Sequence, residues 1–315
     1  MAGYRGAMTA PLCLLTVHAH PDDEASKGPG TVARYKAEGV RTILVCCTGG
    51  EEGDILNPAL DSPEVRADLA AVRLAELAAA TTVIGYDEVV MLGYRDSGMP
   101  DSEANARPDC FARAPLDEAV GRLVAIIRRE RPQVIVTYHD DQKGYPHPDH
   151  LRVHEISIIA FDAAGDPSAF PEAGEPWTPL KLYYVGWSGA RIMAMHEKFL
   201  ELELESPFDR IWLKRAKSND VPYTTMIDIS AYADVRRAAL LAHATQVDPT
   251  SPFWFGLPPE VANTVHPFDE YVLARNRVGE PGRPGTPTAE GSDPTVVDGP
   301  VEDDLFAGVR DLANR

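Results

Sequence analysis

The stretch PLCLLTVHAHPDDEASKG, residues Pro11–Gly28, joins an apolar run directly to a cluster of acids and histidines. Leu12 to Val17 is short, continuous and apolar, which is typical of a strand buried on both faces of a sheet. Two histidines, two aspartates and a glutamate then fall within positions 18–24. Like charges repel and are costly to bury unpaired, so the cluster indicates a site for a positively charged group.

The rest of the chain repeats this alternation of strand and helix. Alternation of this kind predicts an α/β fold with a mostly parallel sheet and helices on both faces. Further strands are predicted at Arg41–Thr48, Glu88–Leu92, Gln133–His139, Lys181–Trp187 and Tyr223–Ser230. Helices are predicted at Thr31–Glu38, Glu64–Ala80, Pro115–Arg131, Gly189–Leu204 and Tyr232–Thr245.

Polar loops follow the first four predicted strands at the point where each strand ends. Open α/β sheets bind ligands at the carboxyl ends of their strands. We therefore expect the active site at this edge of the sheet. The four loops are HAHPDDE (18–24), TGGEEGD (48–54), GYRDSG (93–98) and HDDQKGYPHPDH (139–150).

Two pairs of residues in these loops have the spacing of metal ligands. His20 and Asp23 lie three apart, and so do His147 and His150. Two histidines and one carboxylate make a three-ligand site with an open position, as in catalytic zinc sites, and Fe²⁺ suits such a site nearly as well. Either His147 or His150 would be a ligand, and the other would stabilise an oxyanion or protonate a leaving amine.

The remaining polar residues supply what hydrolysis requires. Asp22 is placed to act as a general base, and Tyr145 can donate a hydrogen bond to an oxyanion. Asp149 is expected to orient a histidine rather than to bind the metal. Taken alone, HPDD is typical of a polar turn and PHPDH of a proline-rich loop. Their position at one sheet edge, each with half a site, favours the metal centre.

The composition argues against several other classes of protein. The formal charge is −18, from 48 acids against 30 bases, and no basic patch for nucleic acid is evident. No apolar run approaches the roughly 20 residues that span a membrane. The four cysteines form no CxxC pair, which favours free thiols in the cytoplasm. A dinucleotide site is disfavoured because acids, not glycines, follow the first strand.

Three segments are predicted along the chain. Residues 1–278 would form the catalytic domain, because all the predicted strands and site residues fall within them. Residues 279–301 are acidic and rich in glycine and proline, which is typical of disorder. Residues 302–315 would form a separate C-terminal segment.

The HAHPDDE motif after a strand, with a distant PHPDH, resembles the PIG-L or LmbE-like family of zinc deacetylases. The resemblance extends to about Arg277 and implies a Rossmann-like fold, often with homo-oligomers. It implies that His147 is the general acid or oxyanion stabiliser, oriented by Asp149, with Tyr145 assisting. The other implied roles are zinc ligands for His20, Asp23 and His150, general base for Asp22, and contacts to a sugar–inositol group for Arg73 and Asp96.

Longer strings, among them AHPDDEASKG, TGGEEGDILNP and AHATQVDP, are similar to one branch of this family. That branch hydrolyses the amide between glucosaminyl-inositol and an S-substituted N-acetylcysteine, a small-molecule thiol conjugate, in mycothiol-dependent detoxification. Lys27 is the residue that favours this branch, and we expect it to face the cysteinyl side of the amide. The alternatives are the deacetylase of mycothiol biosynthesis, a natural-product paralogue acting on a mycothiol adduct, and a non-catalytic metal-binding protein.

Overall fold

A seven-stranded sheet forms the centre of the molecule in a computed structural model that describes residues 11–140, 145–218, 223–278 and 302–313. The strands are β1 (Cys13–His18), β2 (Arg41–Thr48), β3 (Glu88–Tyr94), β4 (Val134–Tyr138), β5 (Lys181–Gly186), β6 (Thr225–Asp228) and β7 (Phe268–Asn276). The helices are α1 (Asp23–Ser26), α2 (Pro29–Ala37), α3 (Pro63–Ala67), α4 (Leu69–Ile84), α5 (Leu116–Glu130), α6 (Pro148–Ala163), α7 (Gly189–Glu201), α8 (Arg210–Ser218), α9 (Ala233–Ala242), α10 (Pro252–Phe255), α11 (Pro259–Val265) and α12 (Val309–Ala313).

The strand order is β3-β2-β1-β4-β5-β7-β6, and the first five strands in this order are parallel. β7 runs antiparallel to both of its neighbours. The interior strands β1 and β4 are buried along their whole length, as their continuous apolar runs predict, whereas the edge strand β3 alternates with solvent. The predicted α/β fold with a mostly parallel sheet is therefore confirmed.

Helices cover the sheet in two packed groups. α2, α4 and α9 pack on one another, and α5 packs on α6, which also contacts β1 and β4. The chain reverses its direction across the sheet between β1 and β4, and this reversal sends the two groups of crossover helices to opposite faces. The crevice at such a reversal is where open α/β sheets bind ligands.

The structure divides one predicted helix and adds elements that were not predicted, among them α8, α10, α11 and α12. The helix predicted over Glu64–Ala80 is two helices, because Asp68 leaves helical geometry at φ −138° and ψ 41°. The strand β7 was not predicted. The helix α6 was not predicted either, since only its first residues had been considered, as a loop.

The C-terminal segment packs against the sheet. Glu302 forms a bridge with Thr225 of β6, and Leu305 and Phe306 are completely buried in the main core. The Tyr35 hydroxyl accepts a hydrogen bond from the Leu305 N–H at 2.6 Å. The predicted disordered segment, 279–301, lies outside the described residues.

Two further sequence expectations concern the chain as a whole. All four cysteines are buried free thiols, as predicted. Among the described residues, no helix has both the length and the apolar character needed to cross a membrane.

Candidate active site

The loop after β1 folds into a tight turn that presents two adjacent carboxylates. Asp22 adopts φ 110°, in a region that residues other than glycine rarely occupy. Its carbonyl accepts the N–H groups of Ala25 and Ser26, which begins the short helix α1. Asp23 accepts the His20 N–H at 3.0 Å. Backbone strain of this kind concentrates at functional sites, where the surrounding structure holds it in place.

Three predicted metal ligands meet in this turn. Asp23 Oδ2 lies 3.5 Å from His20 Nδ1 and 3.4 Å from His150 Nε2. All three side chains are buried, and their ligand atoms lie within 4.8 Å of one another. His150 Nε2 has no hydrogen-bond partner although it is buried. A buried imidazole nitrogen that has no hydrogen-bond partner and faces a carboxylate is suited to bind a divalent metal ion. The three residues are therefore suited to the predicted metal site.

The sequence PHPDH supplies the second half of the site by starting a helix. His147 is the N-cap residue of α6, and its Nδ1 accepts the Asp149 N–H at 3.2 Å. Pro148 at the first helical position needs no hydrogen-bond partner there. The first turn of α6 therefore places His147 and His150 side by side, with ring centroids 5.5 Å apart. Burial lowers the pKa of His147 to about 4, and the adjacent His20 contributes to this shift.

Asp149 has a different partner from the one we expected. Its carboxylate lies 3.2 Å from His20 Nε2 and accepts hydrogen bonds from the N–H and hydroxyl of Ser97, so it orients His20. The hydrogen bond between Asp149 and His147 runs through the backbone N–H of Asp149, although the Asp149 carboxylate and the His147 and His20 rings still have ligand atoms within 4.8 Å of one another. An Asp149 bond at Nε2 leaves Nδ1 of His20 free to bind the metal.

Arg73 holds the Asp22 turn from behind. Its guanidinium donates to Asp22 Oδ2 at 2.9 Å and to the carbonyls of Pro21 and Gly50, both at 2.5 Å. A Cβ atom on Gly50 would overlap this guanidinium, which explains a glycine in TGGEEGD. Burial raises the pKa of Asp22, and Arg73 opposes that shift. The structure places Arg73, 3% exposed, against the protein itself, and its predicted contact with substrate stays a prediction.

Lys27, Tyr145 and Asp96 complete the set of predicted residues. Lys27 Nζ lies 2.5 Å from Asp23 Oδ1, with a quarter of its side chain exposed. Burial alone would raise the pKa of Asp23, but Lys27 and the histidines hold it well below its usual range. Tyr145 is half exposed, with its ring 5.8 Å from that of His147. Asp96 is buried 3.6 Å from His20 Nε2.

Glu24 and Ser97 support the site but were not predicted to belong to it, although they lie in the loops HAHPDDE and GYRDSG. Glu24 accepts the Asp22 N–H at 3.0 Å and pairs with His243 at 2.5 Å, both side chains being fully buried. The one signal for this pair in the sequence is His243, the histidine of AHATQVDP. Ser97 lies in the loop GYRDSG, where no role was predicted for it.

Comparison with known proteins places this geometry in a family. Residues 15–161 match the PIG-L family model, described as GlcNAc-PI de-N-acetylase. The chain is 42% identical over 315 residues to a mycothiol S-conjugate amidase of Streptomyces coelicolor, covering 97% of this chain and 100% of the relative. The chain belongs to the PIG-L family. As a PIG-L enzyme it is a metal-dependent hydrolase acting on C–N amide bonds.

Other PIG-L relatives carry a second name. The chain is 43% identical over 281 residues to a 1D-myo-inositol 2-acetamido-2-deoxy-α-D-glucopyranoside deacetylase of Streptomyces avermitilis, covering 85% of this chain and 94% of the relative. Among solved structures, N,N′-diacetylchitobiose deacetylase of Pyrococcus horikoshii has a TM-score of 0.57 at 18% identity, with 83% of each chain covered. That likeness supports the PIG-L fold.

Proposed function

We propose that this PIG-L enzyme is a zinc-dependent amidase that cleaves mycothiol S-conjugates to a mercapturic acid and glucosaminyl-inositol. The observation that carries the proposal is the position of Lys27. Lys27 contacts Asp23, the proposed metal ligand, and its side chain is partly exposed. Its ammonium group therefore lies beside the reacting centre, where the cysteinyl side of the amide would bind. The S. coelicolor relative, matched over its full length, is named for this activity.

The residues divide the chemistry of amide hydrolysis among them. Bound by His20, Asp23 and His150, Zn²⁺ would polarise the amide carbonyl and lower the pKa of a water molecule. Asp22 takes the proton of the attacking water, whose oxygen forms the new bond to the carbonyl carbon. Neutral His147 accepts the second proton of the water and delivers it to the amine nitrogen as the C–N bond breaks, and Asp22 releases the first proton to complete the ammonium group. Water and amide thus yield one carboxylate and one ammonium group.

The environment of each group suits its role. Arg73 fixes the Asp22 carboxylate, so little reorganisation is needed when the proton moves. Burial holds His147 close to its neutral form, which matches a group that first accepts and then delivers a proton. Tyr145 is exposed enough for its hydroxyl to reach an oxyanion in the cleft.

The second candidate is deacetylation of N-acetylglucosaminyl-inositol, which requires the same metal site and base. It is favoured by the S. avermitilis relative, whose identity to this chain is nearly the same as that of the amidase. The two functions differ in the acyl group, which is acetyl in one case and an S-substituted N-acetylcysteinyl group in the other.

A side-by-side turnover assay separates these functions. The zinc-loaded enzyme is given the bimane conjugate of mycothiol and, separately, N-acetylglucosaminyl-inositol, and kcat/KM is measured for each. We expect a higher kcat/KM for the conjugate. A higher value for deacetylation would overturn the amidase proposal and support the second candidate, while turnover of neither substrate would contradict both.

A further inference from the structure

A second cavity lies at the same edge of the sheet as the metal site, beyond β5. It is bounded by α7, α9, α10 and α11 and has a volume of about 740 Å³, including space open to solvent. Its position is close to α1, since the indole N–H of Trp187 in its wall donates to the Ser26 carbonyl at 3.2 Å. Residues of the cavity that carry chemistry are Trp187, Arg191, Arg236, Arg237, Trp254 and His266.

Two arginines in the wall of this cavity share one carboxylate oxygen. Arg191 is 5% exposed, and its Nη1 lies 4.0 Å from Asp269 Oδ1, the same oxygen that accepts a hydrogen bond from Arg236. A second buried carboxylate, Glu270, is bound by His266 and by the Ser188 N–H, and Asp234 accepts from the cavity residue Asn263. Burial and then Arg236 lower the pKa of Arg191 to about 9.

Two of these guanidinium groups also have donors without partners. The Nε atoms of Arg191 and Arg236 are buried and make no hydrogen bond. Native proteins rarely leave buried donors unpaired, and a bound ligand is one of the few ways to satisfy them. Both residues line the cavity, and their Nη groups donate to the Phe268 carbonyl and to Asp269, so they give this side of the cavity a positive field that favours an anion.

A third arginine extends this positive wall towards solvent. Arg237 lies with its guanidinium 4.6 Å from the centre of the Phe255 ring. Within the described part of the chain, no carboxylate pairs with it at salt-bridge distance. Arg237 is therefore available to an anion that enters the cavity from outside.

Aromatic rings form the apolar side of the same cavity. Trp187 and Phe253 stack with centroids 5.8 Å apart, and Trp254 stands perpendicular to both of them. Such a group of rings favours a flat apolar ligand, which can stack or pack edge to face. A cavity with arginines on one side and rings on the other matches a ligand with both characters.

We propose that this cavity is a second ligand site, separate from the metal centre, that binds aromatic carboxylates through Arg191, Arg236 and Arg237. The carboxylate accepts from Arg237 within the positive field of Arg191 and Arg236, and the ring packs against Trp187, Phe253 and Trp254. The proposal is independent of which amide the metal centre cleaves. The hydrogen bond from Trp187 to the Ser26 carbonyl of α1 connects the lining of this cavity to the helix that follows the metal-site loop.

Equilibrium dialysis of the metal-loaded enzyme with 2-naphthoate tests the proposal, with 2-naphthalenemethanol as the uncharged match. We expect naphthoate to bind at least about tenfold more tightly than the alcohol, since charge-assisted bonds are available to it alone. Because Arg191 is buried and its replacement could prevent folding, the variant is Arg237→Gln. It should weaken naphthoate binding by about tenfold and leave binding of the alcohol unchanged.

Two controls decide where the probe binds. Arg122→Gln removes an exposed arginine on α5, far from this cavity, and should leave both affinities unchanged. His150→Ala removes a metal ligand and should also leave naphthoate binding unchanged. Binding that persists in Arg237→Gln but disappears in His150→Ala would place the carboxylate at the metal and overturn the proposal. Equal affinity for the two probes, or no binding of naphthoate, would overturn it as well.

Discussion

At the scale of single residues, Asp22 combines strain with a chemical role. Its φ of 110° is held by Arg73 on the carboxylate and by Glu24 on the N–H. These contacts fix the carboxylate next to the metal ligand Asp23 without making it a ligand itself. In the proposed mechanism these two adjacent aspartates have different roles, Asp23 for the metal and Asp22 for the proton.

Replacement of Asp22 tests this division. Asp22→Asn should reduce kcat by about 10²–10⁴-fold while the bound metal is retained, because the amide keeps the shape but cannot accept a proton from water. Turnover and metal content are measured on the same sample. Asp61→Asn, at a carboxylate that pairs with Arg66 on the surface, is the control and should have no effect. Near-wild-type turnover in Asp22→Asn would remove Asp22 from the role of base.

Metal binding depends on one histidine of a pair on α6. His150→Ala should lose bound zinc, because two ligands remain and the partnerless Nε2 beside Asp23 is gone. His154 lies one turn later on the same helix and bonds the Tyr138 carbonyl, so His154→Ala should keep the zinc. Elemental analysis after dialysis gives the metal content of each variant. Stoichiometric zinc in His150→Ala would contradict the ligand assignment.

Lys27 provides the residue-level test of substrate choice. Lys27→Gln should reduce kcat/KM for the mycothiol conjugate by at least about tenfold more than for N-acetylglucosaminyl-inositol, since only the former places a cysteinyl group beside it. Lys36→Gln, at an exposed lysine paired with Asp87, should leave both values unchanged. Equal losses for the two substrates would show that Lys27 acts only through its bond to Asp23.

At the scale of elements, the sequence predicted the parts whose pattern is local. β1, β2 and β4 are continuous apolar runs, and their boundaries were predicted to within about two residues. β7 was missed because Asp269 and Glu270 interrupt its apolar pattern. Both acids are buried and paired with residues far away in sequence, Arg236 for Asp269 and Ser188 for Glu270, which a local pattern cannot reveal.

The same limit explains the partner of Asp149. Its place in PHPDH predicted a bond to His147, two residues away. The structure instead joins it to His20 and Ser97, from two other loops of the sheet edge. Which side chains meet across that edge depends on the register of β1, β3 and β4. The register of these strands cannot be predicted from composition and residue spacing.

The C-terminal segment is an element whose contribution can be measured. Phe306 is fully buried and packs edge to face on Tyr35 at 5.2 Å, whereas Leu312 in the same segment is half exposed. Phe306→Ala should lower the free energy of unfolding by about 3–5 kcal/mol, through lost burial and a cavity. Leu312→Ala should change it by less than about 1 kcal/mol. Urea unfolding measures both variants, and equal effects would contradict the docking of this segment.

At the scale of the whole molecule, the metal site connects distant parts of the chain. His20 and Asp23 follow β1, while His150 belongs to α6 after β4, and Asp149 reaches back to His20. β1 and β4 are hydrogen-bonded neighbours at the point where the sheet reverses its winding. The site is therefore complete only when the sheet is formed, so metal binding and folding must be linked.

This linkage predicts a zinc-dependent melting temperature. A ligand that binds only the folded state at 100 times its Kd adds about 2.7 kcal/mol, which for a chain of this size raises Tm by roughly 5 °C. Calorimetry with and without Zn²⁺ should show this rise in the wild type and in Asp22→Asn, whose ligands are intact. His150→Ala should melt at the same temperature in both conditions. A rise in His150→Ala equal to that of the wild type would mean that zinc stabilises the fold from another place, and His20, Asp23 and His150 would then not form the metal centre.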